Sequence, residues 1–257
     1  MALPSERVGR LPAVRHPRSV AEALEWKRNS GPEGAYVAGG TLLRTWWEAE
    51  TSPVPRELVD LRRVSELSGL TPDPDGLTIG AMTLLADCTA SAEVERHAPL
   101  LIQAIGQIAA PSVRNWATIG GNVVSRVGDS LPALLVHGAE LLWAEADGRA
   151  EPLERWLGEL RRKPDGCAAK DSLLAGIWVP RTEAAAKGTD VSRWLAYGKV
   201  GRRESFTPSV VTMALGCSVG PDGKLTDIVI AAGGGQTISC RLRAAEALAD
   251  GAAPGTP

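Results

Sequence analysis

"QIAAPSVRNWATIGGNVVSRVGDSLPALLVHGAEL", residues 107–141, is the stretch on which the reading of the fold turns. Leu100, Leu101, Ala104, Ile105 and Ile108 make an apolar face at helical spacing that ends near Pro111. A helix therefore delivers the chain to a glycine pair, Gly120–Gly121, flanked by Thr118 and Asn122. Beyond it, residues 130–139 read as a short helix with Pro132 in its first turn, and Glu140–Ala144 as a strand closed by Asp147–Gly148. Two consecutive positions without a Cβ let another group come close to the backbone.

Working toward the N-terminus, the same device occurs in "AYVAGGTLLRTWW", residues 35–47, where Gly39–Gly40 follows an apolar run and precedes Thr41. A dinucleotide fingerprint needs G-x-G-x-x-G between strand and helix, and neither pair has that spacing. What both offer is backbone N–H groups in a turn, followed by hydroxyl or amide side chains. Successive N–H groups of this kind form an anion-binding concavity, and two such loops facing each other can hold a diphosphate from both sides. A single Gly–Gly pair is more often a plain turn; two in what read as matching strand-to-turn settings strengthen the phosphate reading and leave the plain-turn reading open.

Around these loops the pattern is mixed. Ser19-x-x-Glu22 is a capping box that opens a helix over about 19–29, stopped at Gly31. Residues 35–38, 58–61, 77–80 and 173–179 read as strands, the third following an Asp75–Gly76 turn, and 83–110 turns helical. "EAAAKGTDVS" reads as an exposed linker, and a composition shift near 175–190 marks a domain boundary. Strands at about 193–199, 209–219 and 225–232, then a helix "RLRAAEALAD", make a small antiparallel unit. The fold class is α+β.

Composition narrows the function. With 44% hydrophobic and 23% charged residues the chain is ordinarily globular, and a formal charge of −2 gives no electrostatic case for a nucleic-acid partner. No stretch approaches the roughly 18–20 apolar residues of a membrane span, and the first residues have no signal-peptide core, which points to the cytoplasm. Cys88, Cys167, Cys217 and Cys240 form no CxxC, and His16, His97 and His137 lack ligand spacing. No metal site and no internal iron–sulfur cluster are expected.

The central segment closely resembles the flavin-binding medium subunit, or flavin domain, of the molybdenum hydroxylases, the group that includes xanthine dehydrogenase and aerobic carbon monoxide dehydrogenase. The motifs are Ala38–Gly39–Gly40–Thr41, Ile79–Gly80–Ala81, Val113–Arg114–Asn115, Thr118 to Asn122, Gly128–Asp129 to Leu135, and "YGKVGRRES" at 197–205. Together they spread over most of residues 12–250. The resemblance implies a PCMH-type FAD-binding domain over 1–180, with subdomains at about 1–55 and 56–180, and a C-terminal domain over 190–257, abbreviated relative to the family's usual final helix. It also implies FAD contacts from Ala38, Gly39, Gly40, Thr41 and Leu42, and from Thr118, Ile119, Gly120, Gly121 and Asn122, at the diphosphate and adjoining ribityl chain. Asp129 would accept from ribityl hydroxyls and Lys199 would lie near the flavin ring.

The residues alone leave other readings open. Asp129 could cap a helix and Lys199 could be a solvated charge; Arg114 reads as a structural tie, and Trp26, Trp46 and Trp47 as core or interface packing. Leu42, Trp116 and "SFTPS" at 205–209 depart from the family pattern. The resemblance implies the FAD-carrying electron-transfer subunit of a xanthine dehydrogenase-like complex, with an iron–sulfur small subunit, a molybdenum-cofactor large subunit, and NAD or another acceptor. It assigns no catalytic residue to this chain. Alternatives are the flavin subunit of a carbon monoxide, N-heterocycle or aromatic dehydrogenase, a stand-alone flavoenzyme akin to the cell-wall precursor reductases, and a flavin-free scaffold.

Overall fold

Three sheets organise the chain, and the computed structural model describes residues 11–145, 150–163, 172–181, 192–202 and 208–253. The expected Asp147–Gly148 turn and most of the 183–192 linker lie outside these residues.

The first sheet is parallel. Its strands are β1 (Ala13–Arg15), β2 (Gly34–Val37) and β3 (Glu57–Asp60), in the order β1-β3-β2. Between β1 and β2 runs α1 (Val20–Ser30); Ser19 Oγ accepts from Glu22 N at 3.2 Å, and the Glu22 carboxylate accepts from Arg18 N at 2.8 Å. The second half of the capping box is thus displaced by one residue. Gly31, with φ 51°, ends the helix. After β2 comes α2 (Thr41–Glu48). A core of Ala23, Val59, Leu61, Val64, Leu67, Met82 and Leu173 packs here, with Trp26 and Tyr36 at its edge.

The second sheet is antiparallel, ordered β4 (Leu70–Pro72), β5 (Gly76–Gly80), β8 (Leu174–Pro180), β6 (Glu140–Trp143) and β7 (Ala150–Pro152). The Asp73 carboxylate accepts from Asp75 N and Gly76 N, both at 2.8 Å, and closes the β4–β5 turn. Residues 83–110, a single helical region by periodicity, form three helices: α3 (Leu85–Thr89), α4 (Ala92–His97) and α5 (Pro99–Gly106). Ser91 caps α4 by accepting from Val94 N, and Pro99 starts α5, so each local start signal overrides the longer periodicity. Then follow α6 (Pro111–Arg114), α7 (Ile119–Val124), α8 (Leu131–Val136) and α9 (Leu153–Arg162). Every residue of α8 is buried, and each of its leucines contributes on the order of 2 kcal/mol by leaving water.

The third sheet, also antiparallel, runs β12 (Thr237–Arg241), β11 (Leu225–Gly234), β10 (Ser209–Val219), β9 (Ser192–Gly201). The strand β12 falls between the last expected strand and the expected helix over 241–250, where the sequence reading placed no element; the helix is α10 (Arg243–Ala249). Ala214 and Ala231 place one face of this sheet in the same core as the second sheet and its helices.

Candidate functional site

In open parallel sheets ligands bind at the carboxyl ends of the strands. At that edge of the first sheet, Ala38–Gly39–Gly40 leads from β2 into α2. Gly40 occupies the N-cap with φ 69°, a left-handed conformation natural to glycine, and supplies no side chain to cap the helix. Arg44 N is the first to bond within the helix, to Gly40 O at 2.9 Å. The first-turn N–H groups of Thr41, Leu42 and Leu43 thus have neither an intrahelical acceptor nor a side-chain cap.

Gly39 has a different reason to be glycine. A Cβ there would stand 1.9 Å from Trp116 O and 3.1 Å from Ala117 Cα. The two glycine-bearing segments therefore touch, and a Cβ on Gly121 would come within 3.8 Å of Ala38 Cβ.

The second pair does not follow a strand into a turn, contrary to the sequence expectation. It forms the first turn of α7, capped by Thr118 Oγ1, which accepts from Gly121 N at 3.0 Å. Ile119 N donates to Thr83 O, Gly120 N to Ala81 O and Asn122 N to Thr118 O. The expected row of available N–H groups is thus engaged within the protein, because the chain winds into a helix against residues 81–83. Gly120 itself packs on Ala81, whose Cβ and O would both lie 2.6 Å from an added Cβ. Of the two segments, the first offers donors and the second forms a wall.

Between them lies a cleft of about 230 Å³ from Gly39 to Thr118, its lining completed by Arg62, Met82, Leu84, Asn115 and Trp116. Arg62 follows β3 at the same sheet edge and is held by Asp60, whose Oδ2 accepts from Nη2 at 2.6 Å and whose Oδ1 accepts from Nε at 3.0 Å. Burial pushes the Asp60 carboxyl up, but the Arg62 side chain and backbone N–H, with His16, outweigh it and hold it below its ordinary value. The same contact raises the Arg62 guanidinium. Arg114 ties its own loop, donating to Ile108 O at 2.9 Å and Ala109 O at 2.8 Å.

From this cleft α7 leads to the second group of expected residues. Asn122 Oδ1 accepts from Ser130 Oγ at 2.5 Å. The neighbouring Asp129 meets the third sheet: Oδ2 accepts from Lys199 Nζ at 2.8 Å, Oδ1 from Ser209 Oγ at 2.6 Å, and its backbone O from the Tyr197 hydroxyl at 2.9 Å. Lys199 also donates to Gln107 O. Asp129 and Lys199 are thus direct partners, both largely buried. Burial, then the Asp129 charge, raises the Tyr197 phenol above its usual value. Along the chain, the six residues of α7, about 9 Å of helix, and then residues 125–128 lie between Thr118 and Asp129.

Sequence reasoning missed Arg62 and Ser209. Arg62 had a signal, since it follows the third strand of a sheet whose other loop was already singled out. Ser209 had none, because its contact with Asp129 joins residues far apart in the chain.

A cleft where two glycine-bearing segments meet, at the carboxyl edge of a small parallel sheet and beside the uncapped first turn of α2, is the setting in which such sheets bind phosphate-bearing cofactors. Residues 10–182 match the family described as "FAD binding domain in molybdopterin dehydrogenase", and the chain belongs to that family. It is 36% identical over 121 residues to the carbon monoxide dehydrogenase medium chain of Hydrogenophaga pseudoflava, covering 47% of this chain and 42% of that one. It is 34% identical over 113 residues to the xanthine dehydrogenase FAD-binding subunit of Escherichia coli O157:H7, covering 43% and 38%. Those alignments span less than half the length of each relative.

The solved structure of carbon monoxide dehydrogenase from Hydrogenophaga pseudoflava superposes with a TM-score of 0.80 at 26% identity, over 95% of this chain and 82% of that one. Quinoline 2-oxidoreductase from Pseudomonas putida 86 shares the fold, with a TM-score of 0.79 at 21% identity. The mixed helix-and-sheet architecture is that of these neighbours. The uncapped first-turn N–H groups of α2 beside Gly39 fit the anionic diphosphate that FAD carries.

Proposed function

We propose that this chain is the FAD-carrying electron-transfer subunit of a molybdenum hydroxylase complex. The observation that carries the reading is the meeting of Ala38–Gly39–Gly40 with Trp116–Gly121 around one cleft inside the matched family region. Gly40, Thr41 and Leu42 would donate backbone N–H groups to the diphosphate, with Ala38 and Gly39 setting the approach. Thr118, Ile119, Gly120, Gly121 and Asn122 would form the facing wall. Asp129 would receive ribityl hydroxyls and Lys199 would sit by the ring system, both already oriented by their mutual bond. Bound FAD supplies the interchange between one-electron and two-electron transfer.

Electrons would come from clusters on another subunit, since the four cysteines of this chain lack cluster spacing. Cys88 is moreover fully buried, and burial pushes its thiol up to about 12. In this reading the partners are an iron–sulfur small subunit and a molybdenum-cofactor large subunit, the complex is xanthine dehydrogenase-like, and NAD is the acceptor. Similar support comes from relatives named as carbon monoxide, xanthine and 6-hydroxypseudooxynicotine dehydrogenase components, so the substrate belongs to the partner's chemistry.

The test is the visible spectrum of the purified protein with identification of the released nucleotide. FAD near one equivalent is expected, with iron and molybdenum co-purifying when the neighbouring subunits are co-expressed. A colourless protein that FAD does not reconstitute sinks the reading.

A further inference from the structure

We propose that Arg114 is the positioning residue for Lys199: by clamping the loop after α5 it fixes the carbonyl on which the Lys199 ammonium rests, and so sets how that cation meets the reduced ring of the cofactor. The inference rests on the FAD reading above, in which Lys199 sits by the ring system, and adds to it the residue through which that lysine is tuned.

Three consecutive carbonyls carry it. Gln107 O accepts from Lys199 Nζ at 2.9 Å, while Ile108 O and Ala109 O accept from Arg114 Nη1 at 2.9 and 2.8 Å. Two cations from distant parts of the chain thus hold three successive acceptors of one loop. The loop is also strained. Ala109 has φ 43°, a left-handed conformation unfavourable for a residue with a Cβ. Ala110 is extended ahead of Pro111, which disfavours the helical region for it, so the strain cannot be relieved by continuing α5. Strained backbone persists where its surroundings over-determine it, and the two bonds from Arg114 do so here. Among the described residues Arg114 has no carboxylate partner, so these carbonyls are what its guanidinium serves.

An ammonium has three N–H donors. For Lys199 one goes to Asp129 Oδ2 at 2.8 Å and one to Gln107 O, and among the described residues no acceptor takes the third. Two fixed acceptors set the rotation of the ammonium, so the third donor has a direction before any ligand arrives. With the side chain 9% exposed, little water screens that charge, and a cation so placed stabilises negative charge that develops on a reduced ring. The Asp129 side of the pair is braced by Ser209 on Oδ1 and by Tyr197 on the backbone O. On the loop side the brace is Arg114.

The experiment compares wild type with Arg114→Met, Arg114→Lys and Ala109→Gly, each as the full chain, by two readouts. In the flavin-free chain, acetylation of Lys199 by acetic anhydride is followed by peptide mass. A hydrogen bond from an ammonium corresponds to roughly a factor of ten, so Arg114→Met should speed acetylation by about tenfold. In the FAD-loaded chain the two-electron potential should fall by about 30 mV, a tenfold loss of preference for reduced flavin. Arg114→Lys keeps a donor at the loop carbonyls and should restore most of both. Ala109→Gly relieves the strain without removing a bond, so it should raise the urea midpoint and leave the potential unchanged. Arg114 is only partly buried and its carbonyl partners can turn to water, so its variants fold. In an Asp129→Asn/Lys199→Met background, Arg114→Met should have no further effect on the potential; an equal fall there means that Arg114 acts through its own charge, and overturns the proposal. Unchanged acetylation or an unchanged potential in Arg114→Met also overturns it, with FAD bound and the functional reading intact. A chain that binds no FAD overturns both.

Discussion

A Cβ at residue 39 would lie 1.9 Å from the Trp116 carbonyl oxygen, whereas one at residue 40 would meet nothing nearer than Val37 Cγ1 at 3.8 Å. The two glycines of one motif are therefore glycine for different reasons, one for close packing of two loops and the other for a left-handed φ of 69°. Gly39→Ala should cost about 3 kcal/mol, the upper end of overpacking, because the obstacle is backbone. Gly40→Ala should cost about 1–2 kcal/mol, the strain of a left-handed alanine. Urea denaturation of the flavin-free chain separates the two, and equal losses would contradict the packing account. The glycine pairs were legible in the sequence; which glycine touches what was not, since Trp116 and Ala81 are brought to them only by the tertiary fold.

At the same scale, His137 is 5% exposed, with Leu100 N donating to its Nε2 at 3.3 Å. Burial, then the nearby Arg193 charge, lowers its pKa from 6.5 to about 4. Between those values the unfolded chain binds a proton that the folded chain refuses, so stability falls as pH falls through this window. The loss should be about 2 kcal/mol between pH 7 and pH 5, read from urea midpoints. His137→Gln should flatten that slope whatever it does to stability at pH 7.

Elements are held together at a few long-range polar contacts, and the Asp129–Lys199 pair is the chief one between the α7–α8 connection and β9–β10. With side chains 9% and 13% exposed, removal of one partner leaves the other charge buried. Asp129→Asn and Lys199→Met should each cost about 3–5 kcal/mol. The double variant should cost much less than their sum, and additive losses would show that the two side chains do not act as a pair. Asp129 and Lys199 were both chosen from the sequence for the cofactor, yet nothing local says that they bond each other. Among the elements read from the sequence, α1 starts within one residue of its capping signal and β10 coincides with the expected strand over 209–219. The region 83–110 breaks at Ser91 and Pro99 because local caps decide helix starts, and β12, only five residues long, was not expected.

On the scale of the molecule, the third sheet presents two unlike faces. One sends Leu195, Tyr197, Ala214 and Ala231 into or against the main core. The other carries Trp194, Val200, Val211 and Met213, which are 41–65% exposed, with Val211 opposite Val200 and Met213 opposite Gly198 across β9–β10. Alternation along a strand forces this division: residues that interleave with the buried ones must point the other way. A contiguous apolar face of this kind is unfavourable in water for a chain on its own, and β9 is also an edge strand. The isolated chain should therefore self-associate as its concentration rises, measured by light scattering behind a sizing column. Val200→Lys with Met213→Glu should shift it toward monomer while changing unfolding free energy by no more than about 0.5 kcal/mol, since neither side chain contributes to the core. A wild-type chain that stays monomeric at every concentration, or a double variant that unfolds, would show that this face is already covered or already structural.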